Sequence, residues 1–150
     1  MTSVGGKGNI TATVVADSVA SGSGVRITTF ELEYPRFIHS EFMTHRLFSR
    51  NAASSRAIPT NRLIDIVKYK PAMPVSWGKN QKGMQAEDML SNDDIIDAKL
   101  AWKQARDHAT DAARDLNSME VHKQIVNRVL EPYQFIKVVC TATEYDNFFN

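Results

Sequence analysis

Over residues 9–16, Ile10, Ala12 and Val14 alternate with Thr11, Thr13 and Val15, a period of two that predicts a strand. Residues 17–24 carry Gly22 and Gly24 and read as a turn. From residue 25 to 34, Val25, Ile27, Thr29, Glu31 and Glu33 share one face and Arg26, Thr28, Phe30, Leu32 and Tyr34 the other, which predicts a second strand able to pair with the first as a hairpin. Pro35 suits a first helical position, and Ile38, Phe42 and His45 then recur at helical spacing, so a helix is expected over residues 36–50 with Glu41, His45 and Ser49 along one edge. A short helix over 61–70 turns Leu63, Ile64 and Val67 inward, with Thr60 or Asn61 as its cap and Pro71 as its stop.

Residues 70–86 read as a loop, in which Trp77-Gly78-Lys79-Asn80-Gln81-Lys82-Gly83-Met84 places an exposed Trp among polar and basic residues, the composition of a mobile loop or of a ligand lid. Ser91, followed by Asp93 and Asp94, opens a long helix. Its Ile95, Ala98, Trp102, Ala105, Ala109, Ala112 and Leu116 form a stripe of threes and fours expected to pack, while His108 lies off it on the surface. Ser118 is expected to cap a further helix over 119–130 with Val121, Ile125 and Val129 inward. Residues 133–142 read as a buried strand, and residues 143–150 as the first turns of a helix with Phe148 and Phe149 apolar. The small polar segment 1–8 is expected to fray.

Composition narrows the class without identifying the chemistry. The chain has 150 residues, 43% hydrophobic and 23% charged, which suits one globular domain and excludes disorder and collagen-like sequence. One cysteine excludes an intrachain disulfide scaffold, no apolar run is long enough for a membrane helix, and no secretory leader is visible, so a cytoplasmic protein is expected. A formal net charge of +1 supplies no overall basic field. Metal binding is not expected, because His39 and His45 are six apart and no cysteine joins them.

The densest functional cluster is His45-Arg46-Leu47-Phe48-Ser49-Arg50-Asn51-Ala52-Ala53-Ser54-Ser55-Arg56, with three Arg, three Ser, one His and one Asn. Arginine forks, serine hydroxyls and backbone N–H groups flanked by small residues suit a phosphate. A solvated, slightly basic helix end would have the same composition.

This cluster resembles the signature of the flavin-dependent thymidylate synthases, Arg-His-Arg, seven residues, then Ser: here Thr44-His45-Arg46, seven residues, then Ser54, with Arg56 two further on. Asn127-Arg128-Val129-Leu130-Glu131-Pro132 resembles the family's Arg-x-x-Leu-Pro turn, and Asn147-Phe148-Phe149 the start of its late helix. Tyr34-Pro35-Arg36-Phe37-Ile38-His39 and Trp77-Gly78-Lys79-Asn80-Gln81 look most like its phage branch, which would place the protein in phage or bacterial host cytosol. The resemblance implies an α/β (α+β) fold, a central sheet flanked by helices, and a homotetramer with active sites shared between subunits. It implies methylation of dUMP to dTMP with FAD as cofactor and NADPH and methylenetetrahydrofolate as co-substrates.

Carried over by position, the resemblance makes His45, Arg46, Asn51 and Asn147 flavin-binding, with Thr141 to Thr143 as further flavin contacts. Glu41, Ser54, Ser55, Arg56 and Arg128 fall at nucleotide-binding positions. Ser54, Arg56 and Arg128 are thereby the candidate catalytic residues, Ser54 by binding, since no general base for it is evident. The other thymidylate synthase class uses a cysteine nucleophile, whereas Cys140 sits in an apolar run and reads as structural.

Four departures accompany the match: Thr44 replaces the first signature Arg, Ala52 stands where Glu is common, residues 18–24 lack a His, and the family's late Arg would fall past Asn150, so that reduced activity is expected. Glu41 also replaces a family Gln. Two other function classes fit parts of the sequence: a nucleotide- or flavin-binding module without catalysis, and a nucleic-acid binder using Arg46, Arg50 and Arg56, which near-zero net charge disfavours.

Overall fold

A computed structural model describes residues 2–83 and 86–149, without the side chain of Phe149; the expectations touching Met1, Met84 and Asn150 fall outside them. Five strands form one antiparallel sheet in the order β1-β2-β3-β5-β4: β1 Ser3–Gly5, β2 Thr11–Val19, β3 Arg26–Pro35, β4 Ser49–Ala52 and β5 Phe135–Ala142. The expected hairpin is β2–β3, with Val15 bulged between the pairs Val14–Phe30 and Ala16–Thr29. Part of the segment expected to fray instead forms β1, whose Ser3–Gly5 backbone pairs with Thr11–Thr13 along the edge of β2.

β5 is buried on one face only. Ile136, Val138, Cys140 and Ala142 point into the core, and Lys137 and Val139 point out. The inner face packs with Tyr34, Phe42 and Phe48. The outer face carries Lys137 between Glu31 and Glu33 at 3.1 and 3.8 Å, with Lys70 3.3 Å from Glu33.

All the helices longer than one turn lie between β3 and β5 in the chain. The single helix expected over 36–50 is replaced by a one-turn 3-10 helix, Arg36–Ile38, a one-turn α1, His39–Phe42, a turn, and β4. Two contacts account for this. The Thr44 hydroxyl donates to the Glu41 carbonyl at 2.7 Å and closes α1, and the edge of β5 takes residues 49–52 as its partner. Ser-Arg-Asn-Ala has little strand preference of its own, so the pairing decides the conformation. Glu41, His45 and Ser49 therefore share no helical edge, and His39 and His45 are not on one helix.

α2, Thr60–Tyr69, buries Leu63, Ile64 and Val67 as expected, but its N-cap is Pro59, and the Thr60 hydroxyl donates to Asn127 instead. α3, Asn92–Ser118, begins at Ser91, whose hydroxyl accepts from the Asp94 amide. Along α3 the fully buried residues are Thr110 and Ala113, while Ala105 and Ala112 of the expected stripe are exposed. A strict three-four alternation drifts about 20° per heptad on a straight helix, which moves the contact line off the stripe. His108 is exposed, as expected.

Ser118 ends α3 and caps nothing. The chain turns at Glu120 with φ 59°, and α4, Lys123–Val129, starts at His122, whose Nδ1 accepts from the Gln124 amide. Val126 and Leu130 face the core there, and Ile125 is exposed. Leu63, Ile64, Val67, Ala113, Val126 and Leu130 form this second apolar cluster. The final helix is the single turn α5, Asp146–Phe149.

The described parts of the loop, residues 71–83 and 86–91, form a strap rather than a free lid. Gly78 bridges Met89, Lys79 N–H donates to Asp88 O at 2.8 Å, and Leu90 N–H to Trp77 O at 3.0 Å. A Cβ at Gly78 would overlap Ala86. Trp77 is half-buried, not exposed, with its ring 6.2 Å from Trp102. No helix among the described residues is long and apolar enough to cross a membrane.

Candidate functional site

The signature residues divide into two groups at opposite ends of β4. Pairing runs from Ser49 with Thr141 to Ala52 with Val138, and Ala53 N–H continues to Lys137 O at 2.9 Å. His45 and Arg46 precede β4, at the Thr141 end of β5. Ser54, Ser55 and Arg56 follow it, at the Lys137 end. At about 3.3 Å per residue, β4 alone holds the groups about 10 Å apart.

The first group sits on an aromatic floor. The His45 ring stacks on Phe48 at 5.6 Å and 19° and meets Phe148 edge-on at 5.2 Å. Phe48 also packs on Phe42 and Tyr145, and the Tyr145 hydroxyl donates to the Thr28 carbonyl at 2.9 Å, tying the segment after β5 to β3. A recess of about 200 Å³ opens here, lined by Thr44, His45, Arg46, Glu144, Asn147 and Phe148 among others. Arg46 is exposed and has no ion-pair partner among the described residues. His45 and Phe148 also border an apolar cavity of about 500 Å³ with Leu32, Tyr34, Phe42 and Glu41. The Glu41 carboxylate is held below its usual range by its own backbone N–H and by the Ser40 hydroxyl at 2.8 Å, so it presents a negative charge at that rim.

Asn51 does not join this recess. It lies on the exposed face of β4, opposite Val139, while its neighbour Arg50 turns inward, donates to the Phe42 carbonyl at 3.0 Å and lies 5.9 Å over the Phe42 ring. Arg50 is thus an anchor for α1, and it drops out of the basic stretch that a nucleic-acid reading needs.

The second group is fastened to α4. Asn127, fully buried, donates through Nδ2 to the carbonyls of Ser55 and Ile58, both at 2.9 Å, and accepts from Thr60 at 3.0 Å. Ser55 is buried, and its hydroxyl donates to Glu131 at 3.2 Å, which holds the turn. Ser54 and Arg56 on either side are exposed, with Arg56 Nε 3.5 Å from the Ser54 hydroxyl. Arg128, next to Asn127, is exposed and borders a cavity of about 360 Å³ with Arg36, Phe37, His39 and Glu131.

The sequence reading assigned no role to Arg36, His39 or Tyr34. The Tyr34 hydroxyl and His39 Nδ1 are 2.8 Å apart. Burial, with Arg36 and Arg50 nearby, pushes the His39 imidazole below its usual value, and burial raises the Tyr34 hydroxyl to about 12. The signal available was Arg36 and His39 three apart beside Pro35, a helical spacing. Cys140 is buried, and burial raises its thiol, against a nucleophilic role. No three His, Cys, Asp or Glu side chains converge as metal ligands among the described residues.

A planar, mostly apolar ring with a polar edge fits the first group, where stacked aromatics form the floor and the imidazole, guanidinium and amide of His45, Arg46 and Asn147 the rim. An anion fits the second.

The chain matches no protein-family model and no curated protein. Among solved structures it is similar to a UMP/dUMP methylase, PolB, from Streptomyces cacaoi bound with 5-Br UMP, at a TM-score of 0.67 and 17% identity over 91% of this chain and 72% of that one. The same enzyme bound with 5-Br dUMP gives 0.68 and 16% over 93% and 75%. At this identity the likeness establishes a shared fold.

Proposed function

We propose that the chain methylates the uracil ring of a pyrimidine nucleotide, dUMP, as a flavin-dependent enzyme assembled as a homotetramer. The observation that carries the reading is the placement of His45, Arg46 and Asn147 around one aromatic recess while Ser54, Arg56 and Arg128 present exposed polar and cationic groups elsewhere. The fold shared with a UMP/dUMP methylase supports the substrate class. The signature spacing supports FAD as cofactor, with NADPH and methylenetetrahydrofolate as co-substrates.

His45, Arg46 and Asn147 would hold the flavin, which when bound supplies the hydride that completes the methyl group. The aromatic floor excludes water from one side of that recess, and Arg46 balances negative charge at its rim. Arg56 and Arg128 neutralise the nucleotide phosphate by charge-assisted bonds, with Ser54 as an added donor. The resemblance to the flavin-dependent family implies active sites shared between subunits, and the separation of the groups by β4 supports a site that takes the recess from one subunit and a nucleotide-binding group from another. Asn51, outside the recess, would reach a ligand only across such an interface. The carboxylate of Glu41 accepts hydrogen bonds only, so it would face a substrate donor and not the phosphate.

A second reading, a binding module without catalysis, is favoured by Thr44, whose hydroxyl is committed to the Glu41 carbonyl where the family places a cation. The deciding experiment is the visible spectrum of the protein with FAD, followed by tritium release from dUMP labelled at the ring carbon. Flavin binding with dUMP-dependent release is expected. Flavin binding without release favours the module, and the absence of both signals overturns the flavin-dependent enzyme and the flavin-binding module alike.

A further inference from the structure

Two cavities border residues of the second group, one at Ser54 and one at Arg128. One, of about 200 Å³, is bordered by Ser54, Ser55, Glu33, Lys70 and Lys137. The other is the cavity at Arg128. Arg36 is the side chain common to both.

The other cations of the first cavity are already matched: Lys137 lies 3.1 Å from Glu31, and Lys70 3.3 Å from Glu33. Arg36 is held more loosely, with its Nε 3.7 Å from a Glu131 oxygen that also receives the Ser55 hydroxyl. Its backbone, in contrast, is fixed by the N–H bond to the Gln134 carbonyl at 2.8 Å and by Pro35 at φ −54°. The main chain is anchored and the guanidinium has an exchangeable partner.

We propose that Arg36 is a phosphate-binding residue of the nucleotide site, exchanging its ion pair with Glu131 for the substrate phosphate and forming with Arg128 a two-arginine cradle walled by Phe37. The proposal rests on the nucleotide reading above. With His39 neutral, the Arg128 cavity holds two guanidinium groups and one carboxylate. A phosphate monoester near neutral pH carries almost two negative charges, and an Arg fork can engage two of its oxygens at once. Without Arg36 the remaining Arg128 is cancelled by Glu131.

The test is calorimetric binding of dUMP, 2′-deoxyuridine and inorganic phosphate to the full chain and to Arg36→Ala, Arg36→Lys and Glu131→Gln. Arg36→Ala should weaken dUMP and inorganic phosphate at least tenfold and leave 2′-deoxyuridine within twofold. Arg36→Lys, which loses the fork, should fall between, and Glu131→Gln, which still accepts from Ser55, should tighten both anions severalfold. Unchanged dUMP and phosphate binding in Arg36→Lys and Glu131→Gln overturns the assignment even if Arg36→Ala fails to fold. Phosphate binding that depends on Arg36, with neither nucleotide nor nucleoside bound by the wild type, overturns the nucleotide reading and leaves the anion cradle standing.

Discussion

Asn127 satisfies two carbonyls and one hydroxyl from a chain segment about seventy residues away. Alanine there would leave the Ser55 and Ile58 carbonyls buried without donors, at a cost of about 2–4 kcal/mol. Chemical denaturation of Asn127→Ala should show that loss, and dUMP binding should weaken because the 54–56 turn is no longer set against Arg128. His39 offers a second test at this scale. Its ordinary value is 6.5 and folding lowers it, so the unfolded chain takes up a proton that the folded chain resists. Stability is then lost as pH falls through 6.5 toward the lowered value. The melting temperature of the wild type should drop more steeply between pH 7 and pH 5 than that of His39→Gln; parallel curves would show that folding leaves the group unshifted.

At the scale of elements, the sequence showed what local pattern controls and missed what partners control. The β2–β3 hairpin, α2 and the Ser91 start of α3 were legible because alternation, spacing and capping chemistry are local. β4 was not, because residues 49–52 become a strand only through the edge of β5, and with that the helix expected over 36–50 dissolved. The candidate residues were legible by type, since Arg, Ser and His announce themselves. Their division into two groups was not, because it depends on that unpredicted strand. The burial of Trp77 was not legible, because an amphipathic side chain in a loop-like segment looks exposed until a distant helix covers it. Trp102 joins the strap to the sheet side of the molecule: its ring meets Phe37, Trp77 and Tyr133, and its Nε1–H donates to the Ala72 carbonyl at 2.9 Å. Trp102→Ala should destabilise by about 3 kcal/mol, read as a lower melting temperature, and an unchanged melting temperature would show that the strap is held by other contacts.

For the whole molecule, the separation of the two groups makes a prediction about assembly. Arg46→Ala and Arg56→Ala should each abolish dUMP-dependent tritium release alone. If one site draws Arg46 from one subunit and Arg56 from another, co-expression of the two variants should restore about one site in four by random mixing in a symmetric oligomer. No recovery would mean that each chain carries a self-sufficient site.

The position of β5 has a consequence for how the chain is made. It lies between β3 and β4 in the sheet but follows both in the sequence, with Pro35 pairing to Phe135. At translation speeds of about 5–20 residues per second, the β3 edge that includes Phe30, Leu32 and Tyr34 waits on the order of ten seconds without its partner. An open apolar edge of that kind is a template for the wrong neighbour. The vulnerable moment of this protein is therefore its synthesis rather than its finished state. Substitutions that weaken β5 should reduce soluble yield in a fast-translating host before they lower the melting temperature of the molecules that succeed in folding.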